Sequence, residues 1–182
     1  MSTAHSRQDR MRDAFLVIGS QYFAHARYSS QAFYLPVSAT LFHHAIEMLL
    51  KGYLSLQMPS PVLNKIGHNL TELWELFKRG AGNPALSRLD SAIAALDKVE
   101  LLRYPDAIVD DGYVLHVSLA TAHTPLALQG AEMLPQYYIE VSDMDAIAEE
   151  VFAACAVSPH PYFNGAPWEL MIALPPALRG SL

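Results

Sequence analysis

The sequence predicts a mainly α-helical domain, and three observations carry that prediction. Apolar residues recur at three- and four-residue spacing through five long segments. Pro, Gly and Asn stand where those segments begin or end. Strand-like alternation is confined to two short runs, "GYVLHVSL" from Gly112 and "QYYIEV" from Gln136.

The first helix is expected over about Gln8 to Ser29, with Met11, Phe15, Ile18, Tyr22 and Ala26 forming its inner face. The second runs from about Pro36 to Gln57. Pro36 suits a first helical position, and Val37, Leu41, Ala45, Met48, Leu49 and Gly52 make its buried stripe. Pro59 and Pro61 end it.

"NLTELWELFKRG" predicts a third helix. Asn69 is the N-cap, Glu72 completes a capping-box pattern, Leu70, Leu73, Trp74 and Phe77 face inward, and Gly80 is the stop. A fourth helix is expected over about Pro84 to Tyr104. Its stripe of Leu89, Ala92, Leu96 and Val99 continues to Arg103, and Pro105 closes it. A last helix starts near Ser142, with Met144, Ile147, Ala148, Val151 and Cys155 on one face. One domain over 1–182 accounts for this pattern: a helical core of about 8–156, a short irregular or β-like insertion at 106–141, and a Pro-rich tail at 157–182 with a short helix at "WELMIAL".

Composition narrows the function classes. The chain is 52% hydrophobic and only 16% charged, against roughly 25% charged in an average soluble domain. The extra apolar surface points to a homo-oligomer interface. A net charge of -6 argues against a general polyanion binder, although a local basic groove remains open. The single cysteine, Cys155, excludes a disulfide framework and a Cys-rich zinc site. The N-terminus, MSTAHSRQDRMRD, carries no signal-like apolar run, and no segment reaches ~18 apolar residues. A cytoplasmic protein without a membrane span is expected. No GxSxG elbow, Walker A loop or GxGxxG is present, and no cofactor is expected.

Most of the polar chemistry sits in the second helix. His43, Glu47 and Lys51 are spaced by four and share one line, with His44 beside it. Glu47 before Lys51 is the favourable order for a helical ion pair, worth ~0.2–0.5 kcal/mol when exposed. The plain reading is a solvated or internally satisfied polar edge. A metal reading would draw on His43, His44 and Glu47, with His68 as a further ligand, but "HHxxE" is not the zinc-protease "HExxH", and no metal is expected. A charge on the inward line of the fourth helix also needs a partner or a water-filled groove. For Arg103 the choice lies between an ion pair with Glu47 and a ligand contact.

Three segments in order, "HHAIEMLLKGYL" at 43–54, "KIGHNLTELWEL" at 65–76 and "LLRYPD" at 101–106, followed by the amphipathic "SDMDAIAEEVFAAC" at 142–155, resemble a HEPN domain (higher eukaryotes and prokaryotes nucleotide-binding). The resemblance covers most of residues 8–156. It implies an up-and-down helical bundle that dimerises and works around nucleotides or RNA. It further implies a toxin-antitoxin or defence pair, with a small nucleotidyltransferase as the partner protein. Glu47, Lys51, His68, Arg103 and Tyr104 would line or brace the polar groove.

RNases of that family are metal-independent and carry an Arg followed four to six residues later by a His. Here Ala107, Ile108 and Val109 stand at that distance from Arg103. A displaced histidine, His116 or His68 (or His44), would have to serve instead. The readings left open are a binding module, an endoribonuclease using Arg103 and a displaced histidine, and a dimeric structural or interaction protein without catalysis.

Overall fold

The computed structural model describes residues 6–104, 112–118, 136–164 and 166–179, with Asp106, Val109 and Leu134. It is mainly helical, with one small sheet. The elements are α1 (Arg7–Gln31), α2 (Leu35–Leu54), α3 (Ser60–Ile66), α4 (Leu70–Ala81), a 3₁₀ turn (Pro84–Leu89), α5 (Asp90–Lys98), a second 3₁₀ turn (Val99–Arg103), β1 (Val114–Ser118), β2 (Gln136–Glu140), α6 (Val141–Ala154), α7 (His160–Phe163), α8 (Trp168–Ala173) and α9 (Pro176–Arg179). No helix among the described residues is long and apolar enough to cross a membrane.

Helix α1 starts at a capping box: the Ser6 hydroxyl accepts from the Asp9 N–H, and the Asp9 carboxylate accepts from the Ser6 N–H. Its buried face is Leu16, Gly19, Phe23 and Ala26, not the expected line through Ile18 and Tyr22, which are exposed. Both lines are helical and apolar, so periodicity does not choose between them. Steric fit against α2 does. A Cβ on Gly19 would lie 3.0 Å from Leu49 Cδ2 and 3.1 Å from the Leu49 backbone nitrogen. A Cβ on Gly52 would lie 3.0 Å from Leu16 Cδ2. Each glycine is thus a notch for a leucine of the other helix, and the two axes pack closely.

Helix α2 is enclosed on nearly every side. Phe42, Ala45, Ile46, Leu49, Leu50 and Leu54 are buried, and so are the polar His43, Glu47 and Lys51. Val37, assigned to the buried stripe from sequence, is 55% exposed because it lies in the first turn, before the neighbouring helices close over α2. The helix stops at Leu54, short of the prolines. Pro61 then serves as an early residue of α3, a helix the sequence reading did not anticipate.

Helix α4 follows the expectation at its start. The Asn69 side chain accepts from the Glu72 N–H at 2.8 Å, and Leu70, Leu73, Trp74 and Phe77 are buried. Its stop is Gly82 rather than Gly80. Gly82 is left-handed at φ 64°, the conformation that glycine adopts without a Cβ penalty, whereas Gly80 is still helical and lies under Gln57 and Tyr53.

The expected fourth helix is three pieces, with only Asp90–Lys98 α-helical. The tighter 3₁₀ winding at Val99–Arg103 shifts the register, so the inward line ends on Leu102 and Arg103 turns outward.

Strands β1 and β2 pair in parallel, from Val114 opposite Gln136 to Ser118 opposite Glu140. Tyr113, Leu115 and Val117 are half-buried, as are the residues between them, so no clean inner face develops; Leu119 and most of 106–135 lie outside the described residues. Helix α6 buries Met144, Ile147, Ala148 and Val151, the expected stripe. The Pro-rich tail packs back: Phe163, Leu170, Leu174 and Leu178 join the core, and α7 and α8 lie against α1. Arg27 of α1 binds Asp145 of α6 and the Ala173 carbonyl of α8. Tyr162 donates to Asp13 at 2.8 Å.

Gly19→Val should lower unfolding free energy by about 1–3 kcal/mol, because the Leu49 backbone cannot yield. Urea denaturation measures this, and an unchanged midpoint would remove the notch from the account of packing.

Candidate functional site

The polar line of α2 is built by helical spacing and then sealed by its neighbours. Glu47 is 1% exposed. Lys51 Nζ donates to Glu47 Oε1 at 2.6 Å, and His68 Nδ1 donates to Glu47 Oε2 at 2.9 Å. His44 Nδ1 lies 3.6 Å from the same Oε2.

Burial by itself pushes the Glu47 pKa up. His44, His68 and Lys51 together override it and bring the carboxyl down to about 2. Glu47 is therefore an anion with no proton to donate, so His68 Nδ1 carries the hydrogen of their bond. The His68 side chain is 57% exposed.

His68 reaches this position through two local devices. Gly67, at φ 67°, turns the chain between α3 and α4. Asp97 of α5 then pins the start of α4, accepting from the Leu70 N–H and the Thr71 hydroxyl, both at 2.9 Å.

His43 lies on the far side of the same line and is fully buried. Its Nδ1 is 3.5 Å from Glu100 Oε2 and its Nε2 is 4.0 Å from Asp97 Oδ1. Among the described residues, neither ring nitrogen has a hydrogen-bond partner, and neither does Glu100 Oε2. Burial pushes the His43 pKa down, and the attraction of Glu100 and Glu47 does not restore it, so the ring is neutral at pH 7. Arg103 donates to Glu100 Oε1 at 2.9 Å, and that bond pushes its pKa further up.

The structure thus brings His43, His44, Glu47, Lys51 and His68 into one cluster, with Arg103 joined to it through Glu100. Of the two forms the polar edge could take, solvated or internally satisfied, Glu47 and Lys51 take the second, because α2 is enclosed. One expectation is corrected. Arg103 neither points inward nor pairs with Glu47, because the 3₁₀ turn rotates it outward and Glu100, three residues before it, captures the guanidinium. Glu47 reaches Arg103 only as a longer-range attraction.

Tyr104 is exposed beside Arg103. His116 sits on β1 and stacks on Tyr138, with rings nearly parallel and centroids 4.7 Å apart. Cys155 is buried, and burial pushes its thiol up to about 11, the state of an inert side chain. Asp97 and Glu100 were not singled out from sequence. The three-residue step from Glu100 to Arg103 is the one signal that could have found Glu100.

Compared with protein-family models, curated proteins and solved structures, the chain gives no significant match in any of the three.

Glu47→Gln should cost about 3–5 kcal/mol at neutral pH, because it strands Lys51 as a buried, uncompensated cation. Chemical denaturation of the two proteins measures the difference, and a cost below about 1 kcal/mol would mean Lys51 reaches water.

Stability should also fall as pH is lowered, in two windows. Below the ordinary histidine range the unfolded chain protonates at His43 while the folded chain resists. Between the ordinary 4.5 and about 2, protonation of Glu47 removes on the order of 3 kcal/mol. Urea midpoints across pH would read both, and the lower window should flatten in Glu47→Gln.

Proposed function

We propose that this protein is a HEPN-like nucleotide- or RNA-associated binding module, of the kind that works in a toxin-antitoxin or defence pair. The observation that supports it most is the division of the cluster into a buried brace and an exposed edge. Glu47 and Lys51 are fixed inside, while His68, Arg103 and Tyr104 are exposed. A guanidinium suits a phosphate, and an exposed tyrosine ring suits a base. Arg103 places a guanidinium, held on one side by Glu100, at the exposed edge of the cluster. The three resembling segments fall in order on α2, across the turn from α3 into α4, and on the second 3₁₀ turn of a mainly helical fold, which supports the family reading and the up-and-down bundle that goes with it.

A homodimer fits the exposed apolar residues Ile18, Tyr22, Phe33, Tyr34 and Val37 around α1 and the start of α2. The partner protein in this reading is a small nucleotidyltransferase, and the compartment is the cytoplasm.

A second reading is favoured by the Glu47–His68 bond. A buried carboxylate that fixes an imidazole through Nδ1 leaves Nε2 oriented as a general base. In a metal-independent endoribonuclease, His68 would take the ribose 2′-hydroxyl proton as that oxygen attacks the adjacent phosphorus. The P–O5′ bond would break and the 5′ oxygen would take a proton from water, giving a 2′,3′-cyclic phosphate and a 5′-hydroxyl, with Arg103 steadying the phosphate charge.

The test is fluorescence anisotropy with a labelled single-stranded RNA, run beside a cleavage assay in EDTA. Arg103→Ala should weaken RNA binding roughly tenfold without altering the circular dichroism, as expected for loss of a phosphate contact. Cleavage by wild type that His68→Ala abolishes would establish the enzyme reading. Absence of both binding and cleavage would leave a structural or dimerisation role.

A further inference from the structure

We propose that His43, His44 and Glu47 form a binding site for a divalent transition ion of the zinc class, held by one nitrogen from each ring and one carboxylate oxygen. The donor atoms of the three residues lie within 4.8 Å of one another. The proposal is independent of the nucleic-acid reading.

Three features argue for an ion here rather than for polar packing alone. The first is spacing. His44 Nδ1 and Glu47 Oε2 are 3.6 Å apart, which is longer than a hydrogen bond. Two ligands of one tetrahedral zinc, each at about 2.0–2.2 Å, sit roughly 3.3 Å from each other. The helix itself sets this distance, because residues three apart face the same side.

The second feature is His43. It is fully buried, and among the described residues both of its ring nitrogens lack a hydrogen-bond partner. A buried polar atom left without a hydrogen bond is destabilising, and imidazole is a common metal ligand in its neutral form. Coordination would satisfy one of these nitrogens.

The third feature is the surrounding shell. A ligating histidine ordinarily gives its other N–H to a carboxylate, and Glu100 Oε2 stands 3.5 Å from His43 Nδ1 without a partner of its own. The Glu47 carboxylate likewise already holds donors. His68 uses one of the two acceptor sites on Oε2 and leaves the other free. Lys51 opposes a dication, while Glu100 and Asp97 beside His43 contribute the compensating negative charge. Two histidines and a glutamate are a known zinc set that keeps a fourth position open.

The experiment uses the full chain. Zinc is titrated by calorimetry after chelator treatment, and cobalt(II) is added separately to read the visible absorption of a tetrahedral ion. His44→Ala is the main variant, because His44 is only half-buried; circular dichroism verifies the fold. His25→Ala controls for a surface histidine outside the cluster. The expected result is one zinc per chain, a tetrahedral cobalt spectrum, an affinity reduced by more than about tenfold in His44→Ala, and none lost in His25→Ala. No zinc binding by wild type would overturn the proposal. So would a folded His44→Ala that binds as tightly as wild type, or binding that only His25→Ala removes.

Discussion

The enclosure of α2 is the constraint on which the rest of this structure depends. A helix in the middle of a small domain has no solvent side on which to place its polar residues. Here one line of that helix carries His43, Glu47 and Lys51, and all three are buried. Glu47 must therefore find its counter-charge inside the protein. Lys51, one turn on, supplies it, and His68 from the start of α4 supplies the second donor. The chain around Gly67 and the capping of α4 by Asp97 both serve to bring that histidine over the carboxylate.

Close packing of α1 makes the enclosure possible. Gly19 and Gly52 remove the two Cβ atoms that would hold the helices apart, and Leu49 and Leu16 fill the space. Dense interdigitation of this kind recovers the dispersion and hydrophobic terms that offset the cost of an internal ion pair. The same packing buries Glu47, and its carboxylate gives the exposed ring of His68 a hydrogen-bond partner. Burial at the brace and exposure at the edge are two consequences of one arrangement.

The tail is part of the fold rather than an appendage. Its prolines break it into three short helices, and none could be stable alone at that length. Burial of Phe163, Leu170, Leu174 and Leu178 holds them, and Arg27 ties α1 to α6 and α8 in one set of bonds. Arg27 and Asp145 are 118 residues apart in sequence, so this cross-link depends wholly on the tertiary arrangement.

The sequence by itself determined the helical class, most of the helix positions, the inner faces of α4 and α6, and the cap at Asn69. These follow from local chemistry: apolar spacing, a side chain that caps its own helix, and a proline or glycine that stops one. It also located the residues of the polar cluster on α2 and at His68, because charge inside an apolar helix is visible in one dimension. Tertiary structure decided what periodicity leaves open. The buried face of α1 was chosen by fit to α2, since both candidate faces are apolar. The outward turn of Arg103 was chosen by 3₁₀ winding after Lys98, which shifts register by a fraction of a turn that no spacing rule records. The carboxylates nearest His43 came from α5 and the turn after it, segments more than fifty residues away. Burial is a property of neighbours, so whether His43, Glu47 and Lys51 were a wet edge or an internal brace could be settled only once those neighbours were in place.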